Sequence, residues 1–130
     1  MAKTVRVRWA VAPAEHDYPA AGSFLQLIAT PAQVEVLTGL LSRAPTEQHY
    51  AKDILRASRL PLLPASDPEV AKDLAKVAKG TPLSPILLVR GELGAGPALQ
   101  IADGYHRVCA SYHLSEDTEI PCRLVDRPAP

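Results

Sequence analysis

Five consecutive residues in the last third of the chain, Asp103-Gly104-Tyr105-His106-Arg107, bring together a carboxylate, a glycine, an imidazole and a guanidinium. Arginine offers a fixed cationic fork suited to phosphate or carboxylate, and glycine lets the backbone approach a ligand closely. A carboxylate at such a place could hold a magnesium ion or accept a proton from a substrate hydroxyl. The histidine could stack on a base or donate to phosphate, and a partly exposed surface position suits it equally. Asp103 could instead serve only as a turn or cap residue, and Arg107 could be spent on an ion pair with Asp53 or Asp103. Upstream, Lys52, Arg56 and Arg59 are candidates to add positive charge nearby, and a solvated basic face accounts for them as well.

These residues need a strand, a turn and a helix to position them. Leu99 to Ala102 is a short apolar run, Asp103-Gly104 breaks it, and helix formers follow through Tyr112. The first turn of the predicted helix holds Tyr105, His106 and Arg107, where backbone amides lack intrahelical partners and the helix dipole adds positive charge. Such a helix start suits an anion. A plain strand-to-helix connection explains the same spacing. Ile86 to Val89 is a continuous apolar run, hence a buried strand, and Leu99 to Ala102 pairs with it across the loop from Gly91 to Pro97. No helix follows that glycine-containing loop, so it is a hairpin and not a dinucleotide cradle.

Ser66-Asp67-Pro68-Glu69 opens a further helix with good capping chemistry. Val70, Leu74 and Val77 face inward, Lys72, Asp73, Lys76 and Lys79 are assigned to solvent, and Gly80 ends it. Residues 49–60 fit either a helix or a strand plus turn. Ile120 to Val125 closes the sheet, and residues 126–130 read as a frayed end.

Towards the N-terminus, residues 4–11 alternate apolar and polar side chains and predict an amphipathic strand. Residues 23–28 suit a short helix or a strand. Thr30-Pro31-Ala32-Gln33 is a capping box with proline at the first helical position, followed by Val34, Leu37, Leu40 and Leu41 on one face. Pro45 follows the expected helix end.

The 130 residues are one domain in size and carry 14 basic against 14 acidic side chains, a formal charge of zero. That balance argues against holding duplex DNA by bulk electrostatics. No apolar run is long enough to span a bilayer, and residues 1–6 lack a signal-peptide core, so a soluble cytoplasmic protein without membrane partners is expected. Cys109 and Cys122 read as buried thiols rather than a disulfide or a zinc framework. His106 and His113 are too far apart along one helix to ligate a metal together, so no metal ligands are assigned.

The run from Ile101 to Arg107, with Ala110 and the later Glu119-Ile120-Pro121-Cys122-Arg123-Leu124-Val125, resembles the signature of the ParB/sulfiredoxin superfamily: an apolar strand, a glycine-x-basic-arginine turn, a helix with small residues and a closing Ile-Pro strand. The likeness covers roughly residues 48–126. It implies a small α/β domain, a mixed sheet with flanking helices, to which residues 1–47 add a strand and helix as an N-terminal extension. It also implies a nucleotide or other phosphate-bearing ligand at the turn, with Gly104, Tyr105, His106 and Arg107 as ligand-binding residues. ParB-type domains are similar in placing basic residues before the helix that opens at Pro68, which would add Lys52, Arg56 and Arg59 to that set. Free-serine kinases of the superfamily resemble the chain in carrying an acidic residue directly before the turn glycine. By that likeness Asp103 is the catalytic candidate, with Mg2+ and ATP, ADP or CTP as cofactors of a phosphotransferase or hydrolase.

Two departures matter. Tyr105 stands where sulfiredoxins carry their reactive cysteine, which excludes sulfinic acid reduction. The helix face that sulfiredoxins use for the nucleotide here offers Val70, Asp73 and Val77. A nuclease role lacks support because Asp103 stands alone in the sequence rather than in a carboxylate cluster. Chromosome-partition proteins append a helix-turn-helix and a dimerisation tail, for which this length leaves no room. The alternative to a ligand-binding enzyme is a non-catalytic interaction module or a DNA-associated accessory.

Overall fold

A computed structural model describes residues 6–128. Five helices and four strands follow one another in the order α1 (Asp17–Leu25), α2 (Pro31–Arg43), β1 (Thr46–Tyr50), α3 (Ala51–Ser58), α4 (Pro68–Ala78), β2 (Ile86–Val89), β3 (Gln100–Asp103), α5 (Tyr105–Leu114) and β4 (Glu119–Val125). The strands form one mixed sheet in the order β1-β4-β2-β3. β4 pairs antiparallel with β1 and parallel with β2, and β3 pairs antiparallel with β2. The chain is a small α/β fold.

Alternate side chains of a strand point to opposite faces, and β2 shows why both faces are covered here. Ile86 and Leu88 point into a core with Ile54, Val70, Val108 and Ile120, beneath α3, α4 and α5. Leu87 and Val89 point the other way, into a second core with Leu25, Leu37 and Leu41 from α1 and α2. An all-apolar strand needs apolar cover on both sides. The N-terminal helices supply the second layer.

Local signals explain most element boundaries. Thr30 accepts a hydrogen bond from the Gln33 amide at 3.2 Å while the Gln33 side chain accepts from the Thr30 amide at 2.9 Å, completing the capping box of α2. Asp67 caps α4 by accepting from the amides of Glu69 and Val70, both at 3.1 Å. Residues 49–60 resolve into the end of β1 and the helix α3. β4 is an interior strand rather than a closing edge; Pro121 is tolerated because pairing with β2 starts one residue later, at Cys122.

The expected N-terminal strand is not formed by its described part, residues 6–11, and residues 1–5 lie outside the described residues. Only a bridge between Trp9 and Leu83 exists, made by the Leu83 amide to the Arg8 carbonyl and the Ala10 amide to the Leu83 carbonyl, each 2.8 Å. A parallel ladder would next need the amide of residue 85, and Pro85 has none. Residues 17–25 are helical instead, so the extension adds two helices rather than a strand and a helix. Of the expected frayed end, Asp126 pairs with Arg90 at 2.7 Å, and residues 129–130 lie outside the described residues. Among the described residues no helix is long and apolar enough to cross a membrane.

Candidate functional site

β3 ends at Asp103 and α5 begins at Tyr105, so the turn between them is the single residue Gly104. Its φ of +115° lies in the left-handed region, and a Cβ there would fall 2.8 Å from the Ile86 Cβ and nearer still to its Cγ2. Glycine is therefore required by the turn and by close packing on β2. That is a different reason from the approach of a ligand.

Helical geometry brings Arg107, one turn into α5, back over Asp103. Arg107 Nη2 donates to Asp103 at 2.5 Å, and Nη1 donates to the Ser84 carbonyl at 2.7 Å and to Pro85 at 3.4 Å. Asp17, from the first turn of α1, lies 3.7 Å from Nη1 and is itself held by the Ser84 hydroxyl and the Ala14 amide. The side chains are 12% (Arg107), 18% (Asp103) and 6% (Asp17) exposed. The guanidinium fork is thus filled by protein acceptors and two carboxylates, the ion-pair alternative raised from its sequence.

Around this joint opens a cleft of about 510 Å3 between α1, α4 and the start of α5. Asp17, Glu69, Asp73 and Asp103 line it against two cations, Lys76 and Arg107, with His16 and His106 at its walls. Burial pushes the Asp103 carboxyl above the usual range, with neighbouring Asp17 adding to the rise and Arg107 opposing it. Burial likewise raises Asp73, against Lys76 and Arg107. The amides at the start of α5 have no side-chain cap, because Gly104 has no side chain to offer. The groups here that could attract an anion are those amides and Lys76, since Arg107 is already engaged, and four carboxylates stand against them.

The other site candidates scatter. His106 lines the cleft, 4.0 Å from the capping carboxylate Asp67. Tyr105 is not in the cleft wall; its hydroxyl donates to the Pro61 carbonyl and its ring packs on the core, near the His106 ring at 5.7 Å. Lys52 pairs with Asp117 at 2.5 Å. Arg56 is 85% exposed and 3.5 Å from Asp53. Arg59 donates to the Gly94 and Gly96 carbonyls, each at 3.3 Å. None of these three basic residues lines the cleft with Gly104.

Two carboxylates of the cleft were hidden in the sequence. Asp73 is buried, not solvated: it lies three residues after Val70 and four before Val77, on the apolar stripe of α4. That spacing was the available signal. Asp17 reaches the site only because α1 packs on β3, which no local pattern announces. Asp103 therefore has acidic neighbours rather than standing alone. Even so, among the described residues no three His, Cys, Asp or Glu side chains gather closely enough to hold a metal ion. Comparisons with protein-family models, curated proteins and solved structures find no match to the chain.

Proposed function

We propose that the chain binds a nucleotide or other phosphate-bearing small molecule in the cleft at the start of α5, as a member of the ParB/sulfiredoxin superfamily would. The observation that carries this is an uncapped helix start opening onto a cleft of ligand size, about 510 Å3. The phosphate sits on the first amides of α5 beside Lys76. If the terminal phosphoryl group of a bound nucleotide is transferred, Asp103, whose carboxyl is raised by burial, takes the proton of the attacking hydroxyl or water. The new P–O bond forms as the P–O bond to the departing nucleotide breaks. Were the ligand to carry Mg2+ on its phosphates, Asp17 and Asp103 would be the carboxylates to hold it, each giving up its contact with Arg107, and the ion would supply charge neutralisation.

Calorimetry and backbone-amide NMR with ATP, ADP and CTP, each with and without Mg2+, test this reading. Saturable shifts at Gly104 to Arg107 are expected. Absence of binding at millimolar nucleotide overturns it. The second reading then gains ground: the Asp17–Arg107–Asp103 cluster, with Ser84, joins α1, the segment leading into β2, β3 and α5 as a purely structural joint in a non-catalytic interaction module.

A further inference from the structure

A second cleft, about 530 Å3 and distinct from the first, lies at the other end of the β2–β3 hairpin. The first cleft meets residues before β2 and after β3; this one meets Arg90 after β2 and Leu99 before β3. It opens outside the carboxyl ends of β2 and β4, the parallel pair, where ligands of open α/β sheets commonly bind. Its floor is apolar. Buried Ile54 and Leu88 lie beside Leu99 and Leu124, two leucines that pack on the core yet stay partly uncovered. At its mouth the hairpin loop holds Leu93 fully exposed.

The rim is basic. Arg56, Arg59 and Arg90 line it with His49, against Asp53 and Glu92. Glu92 is paired outward with Arg127, Arg90 with Asp126, and Asp53 lies at a loose 3.5 Å from Arg56. Arg59 is different. Among the described residues no carboxylate lies within ion-pair distance of it, and its guanidinium rests on two loop carbonyls at 3.3 Å. It is also the sole non-glycine residue with positive φ among those described, at 58°, which fixes its direction where α3 ends. A guanidinium with only neutral acceptors, over a partly bare leucine floor, is complementary to an anion joined to an apolar body.

We infer that this second cleft binds small organic carboxylates with an aromatic or aliphatic body, the carboxylate on Arg59 and Arg56 and the body on Leu88, Leu99 and Leu124. The ligand carboxylate replaces the weak carbonyl contacts of Arg59 with a charge-assisted pair, and the body covers the leucines and meets Leu93 at the loop.

The test is a backbone-amide NMR titration of the whole chain with phenylbutyrate, with phenylbutanol and acetate as the body and the charge alone. Saturable shifts at Ala57, Arg59, Gly94 and Leu99 with phenylbutyrate support the assignment, provided both controls bind far more weakly. Arg59→Gln should weaken phenylbutyrate by about tenfold or more while leaving the thermal midpoint in place. Arg56→Gln should weaken it less, because Arg56 already has Asp53 3.5 Å away. The inference fails if phenylbutyrate gives no saturable shifts, shifts Gly104 to Arg107 instead, or binds no better than the alcohol or acetate. It also fails if Arg59→Gln binds unchanged. None of these outcomes depends on nucleotide binding at the other cleft.

Discussion

Arg107 Nη2 lies 2.5 Å from the Asp103 carboxylate, and the same guanidinium lies 3.7 Å from Asp17, which arrives from the other face of the sheet. One cation is therefore shared between two carboxylates that are 18% and 6% exposed. Replacing Arg107 with Met leaves both without their cation and the Ser84 carbonyl without its donor. Loss of one partner from a mostly buried charge cluster costs about 3–5 kcal/mol. Urea denaturation of Arg107→Met should show a loss of that size. Equal stability of wild type and Arg107→Met would show that the cluster contributes nothing to the fold.

Gly104 offers a second test. A side chain there meets Ile86 and adopts a left-handed φ of +115°. Gly104→Ala should cost about 2–4 kcal/mol by combining backbone strain with overpacking. A variant that keeps full stability while losing nucleotide binding would reverse the explanation given for this glycine, making ligand approach its reason.

The pH dependence follows from Asp73. Burial raises its carboxyl above the ordinary aspartate value, so the folded state binds that proton more tightly than the unfolded chain does. A raised carboxylate costs stability at neutral pH, and that cost disappears as pH falls through the folded-state pKa. Asp73→Asn should therefore raise the thermal midpoint at neutral pH, with the gain shrinking towards acid. A gain that grew on acidification would contradict this sign.

Cys109 and Cys122 are free and fully buried. Burial pushes the Cys122 thiol up to about 12, and also raises Cys109. Thiolate is the reactive form, so both should resist iodoacetamide in the native state at mildly alkaline pH and react fully in denaturant. Mass spectrometry counts the adducts. Rapid native labelling of either thiol would mean that the core opens far more readily than its packing indicates.

Leu41 tests the second layer. It is fully buried between α2 and the sheet face that carries Leu87 and Val89. Leu41→Ala should cost about 2–5 kcal/mol, as for other large-to-small core changes. A cost below 1 kcal/mol, on the order seen for surface changes, would mean that α1 and α2 are only loosely attached.

Elements with local chemistry are legible in the sequence. The Thr30–Gln33 box, the Asp67 cap, the Ile86 to Val89 strand and the break at Gly104 all act within a few residues of themselves. What escaped depends on distant partners. Residues 6–11 have strand spacing, but their neighbour is a segment whose Pro85 cannot extend the ladder. Asp73 carried its signal in spacing, and its charge argued the other way. For Arg107 the type and position were readable, while its commitment to Asp103, Asp17 and Ser84 required three separate elements to meet.

The position of β4 has a consequence for how the molecule comes into being. β1 and β2 are not neighbours in the sheet; β4 lies between them and pairs with both, although it follows both in the chain. Thr46 finds Arg123 across most of the chain, and Val89 finds Val125. During synthesis the β2–β3 hairpin can zip early, yet β1 must wait without its sheet partner until β4 has emerged from the ribosome. Late closure of a central strand makes folding slow for this size and leaves nascent chains prone to wrong pairing. Loss of β4 would remove the strand that links β1 to β2 in the sheet.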